Sequence, residues 1–334
     1  MSAFGNAVAP ETGELAPADV EPTATAVAGR TLRQLAWRRL KKDRVALAGG
    51  IVIILILLLA IFAAPICHLL GVNPNQFNSY LVDPNTSTPY GHLGGVSRAH
   101  PLGVEPVNGR DILARVLYGA RVSLLIAIAS TFVSMAIGVT LGIIAGFRGG
   151  AVDSLISRSM DVLLAFPVLL FSIAVLSVFQ GVNTALGMSG NTLRLVLLIT
   201  IIGFFGWAYI GRVIRGQVIS LREKEFIDAA RSIGAKDRWI LIRELLPNLA
   251  GPMLVYATLT IPTNILYEAA LSYLGVGVQP PTASWGGMLS DATKVFQIDP
   301  MFMIVPGMAI FITVLAYNLF GDGLRDALDP KSSR

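Results

Sequence analysis

Long uncharged runs alternate with short polar ones along this chain, and the lengths of the uncharged runs predict its elements. Val45 to Cys67 carries no charge over 23 residues, enough for a helix to cross the hydrocarbon of a bilayer. Val122 to Phe147 is a second block and a third ends near Gly181; a fourth covers about Leu195 to Gly211. The fifth opens with Leu245 to Tyr267 and continues past Glu268 through Ala269 to Val278, and the sixth runs from Met301 to Phe320. In the second block Gly138, Gly142 and Gly146 recur at the spacing that lets two membrane helices approach closely. The pattern predicts an all-α integral membrane protein of six transmembrane helices.

The polar stretches orient these spans. Residues 1–29 lack periodicity and the basic and apolar regions of a signal peptide, so a disordered cytoplasmic tail is expected there. Residues 30–44 form a basic segment at the membrane boundary that crowds Arg38, Arg39, Lys41, Lys42 and Arg44 against the first span, which places the N-terminus in the cytoplasm. A six-span domain then covers 45–321. Within it, 71–120 reads as a loop-rich extracytoplasmic excursion ending in an amphipathic helix, Asp111 to Arg121. Asp153, Arg158 and Asp161 mark an interfacial helix before the third span, with Arg158 and Asp161 spaced to pair. Gly181 to Asn191 is an external turn. In the cytoplasmic loop 212–247 basic residues outnumber acids, and 322–334 form a cytoplasmic tail, so both termini lie inside.

Composition agrees: 334 residues that are 54% hydrophobic and 14% charged, with mean hydropathy +0.65, exclude a water-soluble globule of this size. The net charge of +5 sits beside the apolar blocks, where it meets anionic lipid headgroups, so membrane lipid is the expected contact and nucleic acid is not. Cys67 is the only cysteine, and His68, His92 and His100 are the only histidines; no metal-ligand spacing or Ser/His/Asp arrangement follows from them. No phosphate-binding G-x-x-x-x-G-K-[ST] loop occurs, so ATP binds elsewhere, and without a Ser/His/Asp arrangement an intramembrane enzyme lacks its chemistry. An ion-coupled secondary transporter needs ionisable groups inside the membrane. Glu268 is the main candidate, with Asn264 and Ser272 one helical turn to either side, as part of a translocation path, a gate or a packing contact.

The longest polar segment between apolar blocks in the C-terminal half is Ser220 to Asn248. Ser220 and Glu223 read as a capping box, after which Phe226, Ala229, Ala230 and Ile233 fall on one helical face. Gly234 stops that helix, a second run carries Trp239, Ile240 and Ile242, and Pro247 sits in the first turn of the next span.

Asp228, Ala229 and Ala230, then Gly234, then Leu246 and Pro247 resemble the E-A-A-x3-G-x9-I-x-L-P loop of ABC-importer permeases. The motifs RVSLL (121–125), HPLG (100–103), NGRD (108–111), LLPN (245–248) and EAALSYLGVGVQPPTASWG (268–286) narrow the resemblance to the C-type permease of the dipeptide/oligopeptide/nickel family, from about Arg33 to Pro330. Asp228 stands where the pattern has Glu, Glu244 where it is usually apolar, and the segment Gly103 to Asp111 is one residue longer. The resemblance implies a type I ABC-importer permease in the bacterial cell membrane, carrying peptides or else nickel chelates, glutathione or oligosaccharides. Its implied partners are a homologous second permease, two cytoplasmic ATPases that bind ATP and Mg2+, and an extracytoplasmic substrate-binding protein; this chain itself needs no cofactor and is no enzyme. Phe226, Asp228, Ala229, Ala230, Arg231, Gly234, Leu246 and Pro247 are then the ATPase-coupling residues.

Overall fold

The structure, a computed structural model, describes residues 32–182, 184–185 and 187–328; the tail expected over 1–29 lies outside them. Helices α1 (Leu32–Lys42), α2 (Arg44–Ile61) and α3 (Ala63–Leu70) come first. The Asp43 carboxylate ends α1 and starts α2 by accepting from the Val45 and Ala46 N–H groups at 2.9 and 3.0 Å. The first uncharged run is therefore two helices with a break at Phe62, not one. A cap of turns follows up to Asp111, whose side chain accepts from Ala114 N at 2.7 Å and starts α4 (Ile112–Arg148). The expected amphipathic helix and second span are thus one continuous helix, because nothing between Arg121 and Val122 interrupts the backbone ladder.

Next come α5 (Gly150–Ala165) and α6 (Val168–Val178), bent by 75° at Phe166–Pro167. A two-stranded hairpin, β1 (Thr184–Ala185) with β2 (Met188–Ser189), occupies the expected external turn and leads into α7 (Gly190–Arg222). A short helix α8 (Glu225–Ser232) precedes α9 (Asp237–Trp239), a π-helical turn (Ile240–Leu245) and α10 (Leu246–Tyr273). Between Val278 and Met301 lies α11 (Trp285–Ala292), capped by Ser284. The last helix, α12 (Met301–Leu328), runs beyond Phe320 into the region expected as a tail. Among the described residues, five helical stretches are long and apolar enough to cross a membrane, or six if the bent α5–α6 pair is one span.

The centre of the fold is the parallel pair α4 and α7. A Cβ on Gly138 would stand 2.8 Å from the Trp207 carbonyl, one on Gly142 2.7 Å from the Gly211 carbonyl, and one on Gly146 2.8 Å from the Arg215 carbonyl. The glycine spacing therefore does what it predicts, bringing two backbones together without intervening side chains. On the other side of α7, Arg215 holds Asp153 of α5 in a forked contact, its Nη2 donating at 2.8 Å, and Arg212 pairs with Asp161. The expected Arg158–Asp161 pair gives way to this one because Asp161 faces the neighbouring helix rather than its own.

At the end of the bundle carrying the cap, Glu105 is buried and meets Arg110 and, at 3.1 Å, Arg115, while His100 Nδ1 lies 2.7 Å from Asp111. Asp299, just before α12, is buried beside Gly94, where a Cβ would lie 2.8 Å from its carboxylate. That burial pushes the Asp299 carboxyl above its usual value, against hydrogen bonds from the Met301 and Phe302 N–H groups that lower it.

Two outcomes follow. Gly142→Val, forced against the Gly211 carbonyl, is expected to destabilise the chain by about 1–3 kcal/mol, read as a lower thermal midpoint of the purified protein in detergent. A folded-state pKa above the unfolded one means the folded protein holds its Asp299 proton longer, so this contribution to stability falls as pH rises from about 4 through the folded-state value. Asp299→Asn should flatten that fall; a midpoint-versus-pH curve of unchanged slope would contradict it.

Candidate functional site

At the end of the bundle opposite the cap, α7 runs on past its last apolar turn to Arg222, so Ser220 lies inside the helix and Glu223 caps its C-terminus. The expected capping box does not form. The chain turns at Lys224 and starts α8 without a side-chain cap. Gly234 ends it: at φ +78° it takes the left-handed conformation that a side chain disfavours, and the Gly234 and Ala235 N–H groups return to the Arg231 and Ala230 carbonyls at 2.9 and 3.0 Å.

The apolar face of α8 is wider than predicted and divided. Ile227 and Ala230 turn inward onto Val218 of α7, Ile240 and Leu245 of the π turn and Leu249 of α10. Phe226, Ala229 and Ile233 form an adjoining stripe that stays exposed, Ile233 at 81%. Of the two alanines expected to seat against a partner, only Ala229 is free to do so; Ala230 is small because its own chain fills the space. Asp228 and Arg231 flank the stripe 3.7 Å apart, and the Arg231 guanidinium lies 5.8 Å from the Phe147 ring centre at the end of α4. Leu246 and Pro247 are exposed at the start of α10. Ile227 and Ile233 were not among the predicted site residues, although helical phase alone places Ile227 with Ala230 and Ile233 with Phe226.

Pro247 sits in the first turn of α10, as expected, but no break separates α10 from the turns before it. One helical stretch runs from Asp237 to Tyr273 although Pro247 has no N–H, because the π turn absorbs the proline: Leu246 N–H reaches back five residues to Leu241 O, and Asn248 Nδ2 donates to Glu244 O at 2.7 Å. At about 1.5 Å per residue this rod is roughly 55 Å long. It joins the loop end of the molecule to the cap end.

Near its far end stand Asn264, Glu268 and Ser272, all buried within the chain. Asn264 Nδ2 donates to Thr131 Oγ1 of α4 at 2.9 Å, and Ser272 Oγ donates to Glu268 Oε1 at 2.7 Å. Ser123 of α4 and Ser284, the cap of α11, lie beside the same carboxyl, whose Oε2 is buried without a hydrogen-bond partner. The Trp285 N–H and indole Nε1 bind Ser123 Oγ and the Val116 carbonyl at 3.4 and 3.0 Å. A Cβ on Gly286 would lie 2.5 Å from the Ala269 carbonyl. These contacts tie α10, α4 and α11 into one unit. The two groups of predicted site residues thus sit at opposite ends of one rod. Among the described residues, no group of three or more His, Cys, Asp or Glu side chains could hold a metal ion.

Residues 138–334 match the family model described as binding-protein-dependent transport system inner membrane component, and residues 31–83 match the N-terminal TM domain of oligopeptide transport permease C. The chain is 40% identical to the dipeptide transport system permease protein DppC of Alkalihalophilus pseudofirmus, over 89% of each protein. It is 40% identical to the glutathione transport system permease protein GsiD of Pectobacterium atrosepticum, over 88% of this chain and 90% of that one. With the oligopeptide transport system permease protein OppC of Haemophilus influenzae it shares 36% identity, over 91% and 90%.

The divided face of α8 makes a structural prediction. Ala230→Trp should open the loop around residues 225–236 to limited proteolysis, because the indole has no room against Ile227 and Leu245. Ala229→Trp should leave the cleavage pattern unchanged. Equal cleavage of the two variants would show that the inward and outward faces are misassigned.

Proposed function

Because the chain belongs to the family of binding-protein-dependent transport system inner membrane components, in its oligopeptide-permease C branch, we propose that it forms half of the translocation path of an importer for di- or oligopeptides. As a member it is a multi-pass permease subunit of the inner membrane and works with ATPase and substrate-binding proteins; hydrolysis belongs to those separate ATPases. The proposal adds the finer assembly: a homologous second permease, two ATPase subunits that carry ATP and Mg2+, and a binding protein that delivers cargo to the cap end. The relatives' names span dipeptide, glutathione and oligopeptide transport, all short zwitterionic chains, which favours peptide over nickel chelate or sugar.

The observation that carries this reading is the exposed stripe of Phe226, Ala229 and Ile233 on a helix seated directly against the π turn of a rod. An apolar stripe flanked by Asp228 and Arg231 suits a groove on a soluble partner. In this proposal α8 docks into a cleft of one ATPase, on the cytoplasmic side. Closure of the ATPases on ATP displaces α8, and Ile227 and Ala230 pass the motion to Ile240 and Leu245 and so to α10. Gly234 lets the chain leave the groove, and Leu246 and Pro247 mark where the rod enters the membrane. Asn264, Glu268 and Ser272 act at the other end by holding α4 and α11 to α10, so the wall of the path moves as a unit. Alternating access results from a population shift between inward-open and outward-open arrangements.

Reconstitution of the complex in liposomes with the cognate binding protein tests this. Ala229→Trp should lower both labelled-dipeptide uptake and binding-protein-stimulated ATP hydrolysis at least tenfold while the amount of inserted complex stays unchanged. Asp228→Ala should be milder, since one interfacial polar contact is worth on the order of 1–2 kcal/mol. The chain purified alone should hydrolyse no ATP. An assembled Ala229→Trp complex with wild-type uptake and hydrolysis would remove α8 from the coupling role.

A further inference from the structure

The bent α5–α6 span lies on a face of the chain that the coupling argument does not use. Pro167 has no N–H to donate, and the Val168 N–H turns to the Phe166 carbonyl at 2.8 Å, so the Leu164 carbonyl loses the partner a continuous helix would give it. The break is deep: the Phe166 ring stacks on Phe205 of α7, centres 5.5 Å apart, and nearby Gly203 packs on Ser130 and Val133 midway along α4. Phe171 and Phe204 complete the cluster, at 5.4 and 5.5 Å from Phe205. Phe166 and Phe204 are nonetheless 41% and 46% exposed on this chain.

Two independent features say this face is not turned to lipid. Irregular backbone at such depth persists where it meets protein or water, since hydrocarbon offers no hydrogen bonds. Little more than one helical turn from the break, Asp161 pairs with Arg212 while their side chains stay 66% and 51% exposed, and charges in lipid are expensive. The span is also fixed at both ends and free only at its bend. Arg215 grips Asp153 near the start of α5, and the Arg194 guanidinium, buried, donates to the Phe179 carbonyl at 3.0 Å at the end of α6.

We propose that Phe166, Phe171, Phe204 and Phe205 form this subunit's half of a hydrophobic constriction across the translocation path, with the Asp161–Arg212 pair lining the aqueous chamber on its loop side. It rests on the importer reading and adds where the path closes. Apolar rings at a narrow point exclude water and block ions and peptides alike. A bend with both ends held lets the rings part while the outer halves of α5 and α6 stay in place. The neighbouring ion pair is hydrated in the chamber, where it meets a zwitterionic cargo with both signs of charge.

Cysteine accessibility in the reconstituted complex tests the inference, on a Cys67→Ala background that removes the native thiol. Phe166→Cys and Asp161→Cys should react with a membrane-impermeant maleimide at least tenfold faster than Leu55→Cys, an exposed position on α2, and ATP should change the Phe166→Cys rate. The paired variant Phe166→Ala/Phe205→Ala should let labelled dipeptide run down its gradient without ATP, a leak the wild type lacks. Phe166→Cys as slow as Leu55→Cys, as expected of a lipid-facing or subunit-buried site, overturns the constriction, and so does a paired variant as tight as wild type. If the wild-type complex itself imports no peptide, the importer reading has failed, and the maleimide rates still report on the constriction.

Discussion

The architecture depends on one close approach, that of α4 and α7 along the glycine line Gly138, Gly142 and Gly146. Inside a membrane there is no hydrophobic gain from bringing two apolar helices together, so their association relies on dispersion and on backbones that come near enough to touch. Once those two helices are fixed, the rest has places to attach. Arg212 and Arg215 project from α7 to hold α5, Thr131 and Ser123 project from α4 toward α10 and α11, and Arg222 donates to the Gly146 and Phe147 carbonyls at 3.2 and 3.3 Å where α7 leaves the bundle.

Polar contacts are concentrated where helices must keep a fixed relation, and apolar contacts where they need only stay together. The helix α2, with few buried residues, packs on α12 through Gly49, where a Cβ would meet the Ala316 carbonyl at 2.7 Å. By contrast the joint between α10, α4 and α11 adds serines, a threonine, an asparagine and a glutamate to its apolar core. Hydrogen bonds are directional and fix rotation as well as distance. Such joints suit a part that transmits motion rather than one that merely encloses it.

Much of this was legible in the sequence, because hydrophobic blocks of bilayer length and their flanking charges report directly on spans. The glycine period, the stop at Gly234 and the burial of Glu268 with its two neighbours follow from local rules. What escaped was set by partners distant in sequence. Asp161 chose Arg212 over Arg158 because α7 lies alongside, Ala230 turned inward because the π turn stands behind it, and α4 absorbed the predicted amphipathic helix because no residue there breaks the ladder. The Phe166–Pro167 pair did carry a signal, since proline disfavours helix in the residue before it. Its meaning needed the stacked ring of Phe205. The proposed coupling role was suggested by family resemblance more than by physics, as a short amphipathic helix looks alike whether it meets lipid or protein.

The π turn at Ile240–Leu245 also sets the phase of the rod. It holds more residues per turn than the α-helix on either side, so every side chain beyond Leu246 is rotated relative to a plain α-helix starting at Asp237. Drawing the same residues into plain α-helix, with none removed, would swing the whole of α10 by about 100° about its axis. Glu268 would then leave its serines and Asn264 would leave Thr131, with no residue near either one altered. The winding of a six-residue turn at one end thus acts as the alignment mark for contacts at the other, and a change that straightens it is equivalent to moving a buried carboxylate.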